Sequence, residues 1–353
     1  MTQKGENGKD LWVEFGKAEA FSRDLDHRNN RFRPEKDAYP EGEPPFIDGH
    51  VDLPYYLMNH GKDVSLGDLD HGPFTLEKAK ESGIRLFCTA LYCEDRFNGK
   101  AALKNLQDIL QFTLDRIEPV KIVKDAGDLK ALWQDAERMA TLLLLENADA
   151  LAQNLSYLET LREAGVRIVG LTHRGRNRLA DGDAVRYGDG FSRAGKGVVS
   201  ALNENGLLID VAHLHPVCFW ELMRLMEGPV ITSHTGVRTR CDIPRNIDLD
   251  QAREIISRDG VIGISFNPEM LSPEGKAALE DVFVHVDILV QEFGPDGVGI
   301  GSDFGGFDAA TEGLEDIGKV PRLKDIMLGH GYGKEAAEKI MGLNWLRIYQ
   351  GLT

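Results

Sequence analysis

The stretch Phe46-Ile47-Asp48-Gly49-His50-Val51-Asp52-Leu53-Pro54 brings three metal-capable side chains into five residues at the end of an apolar run. On a strand, residues two apart share a face, so His50 and Asp52 point the same way. Alone, the stretch also reads as a polar loop ended by Pro54. Further ionisable residues close other apolar runs: Glu146 after LLLL, His173 in IVGLTH, His213 in LIDVAH, His234 in VITSH and Asp303 in GIGSD. Imidazole nitrogen and carboxylate oxygen suit zinc without any thiolate. The four histidines and three carboxylates exceed what one catalytic zinc needs. A metal pair sharing a bridging carboxylate would use them and leave one or two groups for substrate. Two ions roughly 3.5–4 Å apart can hold a hydroxide, polarise a carbonyl and stabilise a tetrahedral oxyanion, which is the chemistry of amide hydrolysis.

Such residues must be gathered by the fold. The runs at 46–51, 85–92, 140–147, 166–173, 207–213, 229–234, 260–266 and 297–304 are almost continuously apolar, as strands buried on both faces are. Helix-like segments at 101–117, 151–165, 216–228, 249–260 and 278–294 alternate with them, and several end in glycine. Eight strands with helical crossovers predict a (β/α)8 barrel, in which all strand C-termini meet at one mouth. Read singly, His173, His213 and His234 pass for core or loop histidines and Asp303 for a turn. A carboxylate after four leucines needs a partner. At the ends of successive barrel strands they face one another. A doubly wound sheet is the competing fold, but no glycine-rich dinucleotide fingerprint follows the first strand.

Size and composition agree with a barrel. The chain has 353 residues, 42% of them apolar, and 38 glycines for tight turns. Its net charge of −16 disfavours nucleic acid and anionic membranes as partners. No run of 18 apolar residues occurs, and the N-terminus lacks the apolar core of a secretion signal. Cys88, Cys93, Cys218 and Cys241 are scattered with no C-x-x-C pair, so reduced thiols and a cytoplasmic location are expected. Residues 1–45 are polar and read as an N-terminal extension, with one helix over Leu11–Leu25 and a Pro-rich lead-in, before a single catalytic domain at 46–353.

Other chemistries find no support. G-x-S-x-G, H-E-x-x-H and the phosphate-binding GxxxxGK[ST] are missing, and GVGIGSDFGG lacks dinucleotide spacing. Val282, Val284, Val286, Ile288 and Leu289 read as the core stripe of a helix. HRGRNR sets Arg174, Arg176 and Arg178 beside the expected mouth, either to attract anionic substrates or as an ordinary solvated loop.

DGHVDLP (48–54), LLENADAL (144–151), GVRIVGLTHRGRNRLADG (165–182), LIDVAHLH (208–215), PVITSHTGVR (229–238), PRNID (244–248), GIGSDFGG (299–306) and GLNWLRIY (342–349) occur in that order. Together they resemble the renal or membrane dipeptidase family, zinc enzymes among the amidohydrolase-type, metallo-dependent hydrolase barrels. The resemblance implies a homodimer with two zinc ions per chain, acting on a small dipeptide. It implies that His50 and Asp52 bind one zinc, Glu146 bridges both, and His213 and His234 bind the second. It places His173 at the substrate carbonyl, Asp303 in proton transfer and Arg245 at the substrate carboxylate, for which a guanidinium fork is suited. Asn147 stands where glycine often follows the bridging Glu, Gly305 where an Asp is common, and Met270 near the place of a tyrosine that helps hold the carboxylate. Two other readings stay open: an amidohydrolase for N-acyl amino acids or another small amide, and a metal-binding barrel without catalysis.

Overall fold

Each of the eight apolar runs holds one strand of a closed ring. In the computed structural model, which describes residues 44–352 save Lys62 and Ala136, these are β1 (Phe46–Val51), β2 (Ile84–Tyr92), β4 (Ala140–Glu146), β5 (Val166–Gly170), β6 (Leu208–Asp210), β7 (Val230–Thr235), β8 (Val261–Ile264) and β9 (Val298–Ile300), with β2 and β7 reaching one residue beyond their runs. All pair in parallel, each with its neighbour, and the ring closes through β1–β9 and β2–β4. Closure rules out the doubly wound sheet. A short strand not expected from the sequence, β3 (Lys121–Ile122), pairs with β4 at Ala140 and Thr141, below the point where β5 begins pairing at Leu143. The expected N-terminal helix over Leu11–Leu25 lies outside the described residues.

Helices Ala102–Arg116, Pro216–Leu225, Leu249–Ser257 and Leu279–Phe293 fill the segments expected for them. The segment at 151–165 differs: its start is a 3-10 turn, and the α-helix runs only over Tyr157–Ala164. Asp248 accepts from the Gln251 backbone and Gln251 caps in return, which fixes one helix start. The stripe in Leu279–Phe293 is also corrected: Val284 is only half-buried, while Phe283 and His285 join Val282, Val286 and Leu289 in the core. His285 is held at both nitrogens, Nδ1 accepting from Val237 N (2.9 Å) and Nε2 donating to Leu271 O (3.1 Å).

The interior divides into tiers. Leu86, Leu142, Ile168, Leu208, Ile231 and Val261, all from the N-terminal halves of their strands, form one buried cluster with Trp345 and Tyr349 of helix Asn344–Gln350. That helix therefore closes the end of the barrel away from the strand C-termini. Trp345 donates to Ile300 O (2.8 Å), and a Cβ on Gly49 would lie 2.3 Å from its ring. The four cysteines are free and buried. Among the described residues no helix is long and apolar enough to cross a membrane.

Candidate functional site

The expected site residues come together, though several do not sit where a strand ends. His50 lies within β1, Asp52 one residue beyond it, Glu146 is the last residue of β4, and His234 lies within β7. His173, His213 and Asp303 lie in loops, each three residues past the end of β5, β6 and β9. His213 (φ 62°) and Asp303 (φ 66°) take the left-handed backbone, as does Asn147 (φ 67°) beside Glu146. Such conformations cost on the order of 1 kcal/mol or more in a non-glycine residue and cluster at functional sites. Asn tolerates this region better than most residues, which accounts for Asn147 where the family often has glycine. Its amide also donates to Cys93 O (2.7 Å), tying the loop after β2 to the loop after β4.

The ring at the mouth is tight. His50 Nε2 lies 3.5 Å from Asp52 Oδ2 and 3.6 Å from Glu146 Oε2. Glu146 Oε1 lies 3.1 Å from His213 Nε2 and 3.9 Å from His234 Nε2, and His234 Nε2 lies 4.0 Å from Asp303 Oδ1. Three overlapping groups each place their donor atoms within 4.8 Å of one another: His50, Glu146 and His234; His50, Asp52 and Asp303; Glu146, His173 and His213. All but His173 are buried. His50 Nε2 and Asp52 Oδ1 are shut from solvent with no hydrogen-bond partner, a costly state that a cation between them would relieve. Gly306 leaves the space: a Cβ there would fall 2.4 Å from Asp52 Oδ2 and 2.7 Å from Asp303 Oδ1. The donor set and the room beside it fit divalent cations bound by nitrogen and oxygen.

The electrostatics describe a site short of positive charge. Burial, with the charges of Asp52 and Asp303, pushes the Glu146 carboxyl well above its ordinary range, although His50 opposes the shift. Burial and the Asp52 charge raise Asp303 to about 8. Burial alone would lower His50, but the nearby carboxylates of Asp52, Glu146 and Asp303 together raise it to about 10. His213 and His234 are pushed well below the ordinary range, first by burial and then by Arg245 and neighbouring imidazoles.

A cavity of about 450 Å³ opens over this ring and reaches Tyr55, Tyr92, His173, Arg174, Arg245 and Met270. Met270 thus lines the pocket at the place where the sequence departs from the family. Arg245 is 9% exposed, donates through Nη2 to His234 O (2.8 Å), and keeps a buried Nε with no partner. His173 Nδ1 lies 3.2 Å from Asp95 Oδ2 and 3.4 Å from Tyr92 OH, so Nε2 is the nitrogen left for a ligand. The arginine cluster is divided. Arg176 pairs with Asp181 and Asp189, Arg178 forks onto buried Asp149, and only Arg174 faces the pocket.

Behind the ring stand residues the sequence did not reveal. Asp183 Oδ1 lies 3.0 Å from His213 Nδ1, and Ser233 Oγ lies 2.9 Å from both His50 Nδ1 and His234 Nδ1. Ser and Asp are too common in loops and strands for either to signal by type; only the partners brought by the fold identify them.

A parallel (β/α)8 barrel that turns imidazoles and carboxylates onto one buried point belongs among the metal-binding barrels. The chain is a member of the membrane dipeptidases, peptidase family M19, whose model matches residues 42–352. It is similar to Dipeptidase tcpJ of Claviceps purpurea (28% identical, covering 91% of this chain and 71% of the relative). It is also similar to Dipeptidase 3 of Rattus norvegicus (25% identical, covering 87% of this chain), of which it spans 64% of the length. Among solved structures it superposes on the M19 metallopeptidase dipeptidase AC with a TM-score of 0.80 (23% identical, 88% of this chain, 99% of that one). It superposes equally well on a metallopeptidase from Rhodobacter sphaeroides liganded with a phosphinate mimic of L-Ala-D-Ala (TM-score 0.79, 21% identical, 88% of this chain, 100% of that one).

Proposed function

We propose that the protein is a dipeptidase that works with two divalent cations, zinc by the character of its donors. The observation that carries this reading is the buried ring itself, in which His50 Nε2 and Asp52 Oδ1 face unshared space among Glu146, His213, His234 and Asp303. His50 and Asp52 would hold one ion, His213 and His234 the other, and Glu146 both. Bound there, the ions would supply Lewis acidity toward the amide carbonyl and a water acidic enough to attack as hydroxide.

The side chains then divide the remaining work. Arg245 binds the carboxylate of the substrate's C-terminal residue through its unused guanidinium donors, fixing the amide over the ring. His173, oriented by Asp95 and Tyr92, meets the negative charge that grows on the carbonyl oxygen. Asp303 takes the proton of the attacking water and hands it to the leaving amine. Its raised affinity for a proton and its bond from Asn267 (Nδ2 to Oδ2, 3.5 Å) suit that task.

The test is hydrolysis of L-Xaa–L-Xaa and L-Xaa–D-Xaa dipeptides, with N-acyl amino acids alongside, by protein titrated with zinc and checked for metal content. Dipeptide cleavage that needs zinc and disappears in Asp303→Asn supports the proposal. Cleavage of only the acyl amino acids would replace it with the other amide class, and two bound ions without turnover would leave a binding barrel. Within a working dipeptidase, Arg245→Ala raises KM roughly ten- to a hundredfold with little change in kcat, the scale of a lost charge-assisted pair. An unchanged KM would remove Arg245 from the carboxylate site.

A further inference from the structure

Ser233 Oγ has three partners and can satisfy all three in one way. It donates its single proton to Asp210 Oδ2 (2.5 Å). Asp210 Oδ1 is already an acceptor, taking the backbone N–H of Ser233 (2.9 Å) and of Ala212 (3.0 Å). The hydroxyl's two lone pairs therefore remain for His50 Nδ1 and His234 Nδ1, each 2.9 Å away. Both imidazoles must donate there, which leaves Nε2 of each as the nitrogen turned to the ring.

The strands make this arrangement possible. Consecutive strand residues normally point to opposite faces, but the pairing of β7 with β8 slips between Thr232 and Thr235. Through that irregularity Ser233 and His234 both bond inside the site. Gly301 allows the close approach, since a Cβ there would lie 1.7 Å from Ser233 O. Ser233 is fully buried, so no water competes for its oxygen.

We infer that Ser233, locked by Asp210, is a positioning residue shared by the two cation sites: one hydroxyl sets the ring orientation and the Nδ1–H tautomer of a histidine in each. The inference rests on the two-cation reading above. His213 is outside the arrangement, because its Nδ1 has its own acceptor in Asp183. Removing the hydroxyl should therefore weaken both ions together, and removing Asp183 only one.

The experiment is competitive chelator titration of zinc into wild type, Ser233→Ala, Ser233→Thr and Asp183→Ala, with melting of the metal-free proteins as a folding control. Ser233→Ala should raise both dissociation constants by about 10–100-fold, the usual effect of losing a group that orients a ligand. Ser233→Thr keeps a hydroxyl and should recover most of the loss, and Asp183→Ala should weaken one ion. In 15N–1H spectra of the zinc-loaded protein, the rings of His50 and His234 should show Nδ1–H in wild type and lose protection of that proton in Ser233→Ala. Wild-type affinity in Ser233→Ala, or loss at one ion only, overturns the inference. Equal loss at both ions in Asp183→Ala does so too, since coupling would then lie outside the hydroxyl. A wild type that fails to take up two ions would instead overturn the two-cation reading.

Discussion

The two tiers of the barrel interior are built on the same strands and obey opposite rules. In β4, Ala140, Leu142 and Leu144 belong to the apolar tier and Glu146 to the ring; in β6 Leu208 gives way to Asp210, and in β7 Ile231 gives way to Ser233. The lower tier is sealed by Trp345 and Tyr349 and stabilises by removing apolar surface from water. The upper tier is just as buried yet holds carboxylates and imidazoles whose ordinary charge states burial disfavours. The difference teaches that depth alone does not assign a residue to stability: the same burial stabilises at Leu144 and stores demand for a cation at Glu146.

The largest test separates the tiers by their functions. Glu146→Gln should reduce dipeptide turnover by about a thousandfold or more, several kcal/mol of lost charge stabilisation. The metal-free variant should melt no lower than wild type, because an amide does not carry the buried carboxylate's desolvation penalty. A metal-free variant much less stable than wild type would show that Glu146 is also a structural group. Trp345→Ala is the converse case. It should lose about 3–5 kcal/mol in denaturant unfolding through the cavity left at the closed end, while protein folded at low temperature keeps its zinc affinity. Loss of metal binding without loss of stability would break the division.

A smaller effect sharpens the comparison with a third kind of buried polar group. Burial lowers His285 to about 4, against a backbone bond that favours its charge. In the unfolded chain it titrates near 6.5, so between these values the unfolded state binds the extra proton. The stability this neutral histidine contributes is complete above about pH 6.5 and falls as pH drops toward 4. Between pH 7 and 5 the linkage is worth about 2 kcal/mol. His285→Gln, which keeps a donor and an acceptor, should flatten that part of the stability–pH curve; a slope equal to wild type would assign the dependence elsewhere.

The lower tier was the more legible in sequence. Continuous apolar runs marked all eight ring strands, and a charge at the end of a run, as at Glu146, marked the upper tier. Strand ends were overshot at His173, His213 and Asp303 because the residues after each ladder, Leu171-Thr172, Val211-Ala212 and Gly301-Ser302, carry no charge or proline to mark the stop, which only hydrogen-bonding geometry records. Two-residue β3 gave too short a signal. His285 was hidden inside a valine-rich stripe because its partners, Val237 and Leu271, are backbone groups far away in sequence. Of three alternate arginines, Arg176 and Arg178 serve Asp149, Asp181 and Asp189, and nothing in their own spacing distinguishes Arg174.

The closing helix also sets an order on synthesis. Trp345 reaches back to Ile300 O at the last strand, and β1 finds its second neighbour only when β9 arrives. A nascent chain on the ribosome has every candidate ligand out once Asp303 emerges, yet still lacks the floor beneath them. The helix that carries Trp345 and Tyr349 thus joins the barrel only after every residue of the ring has been made.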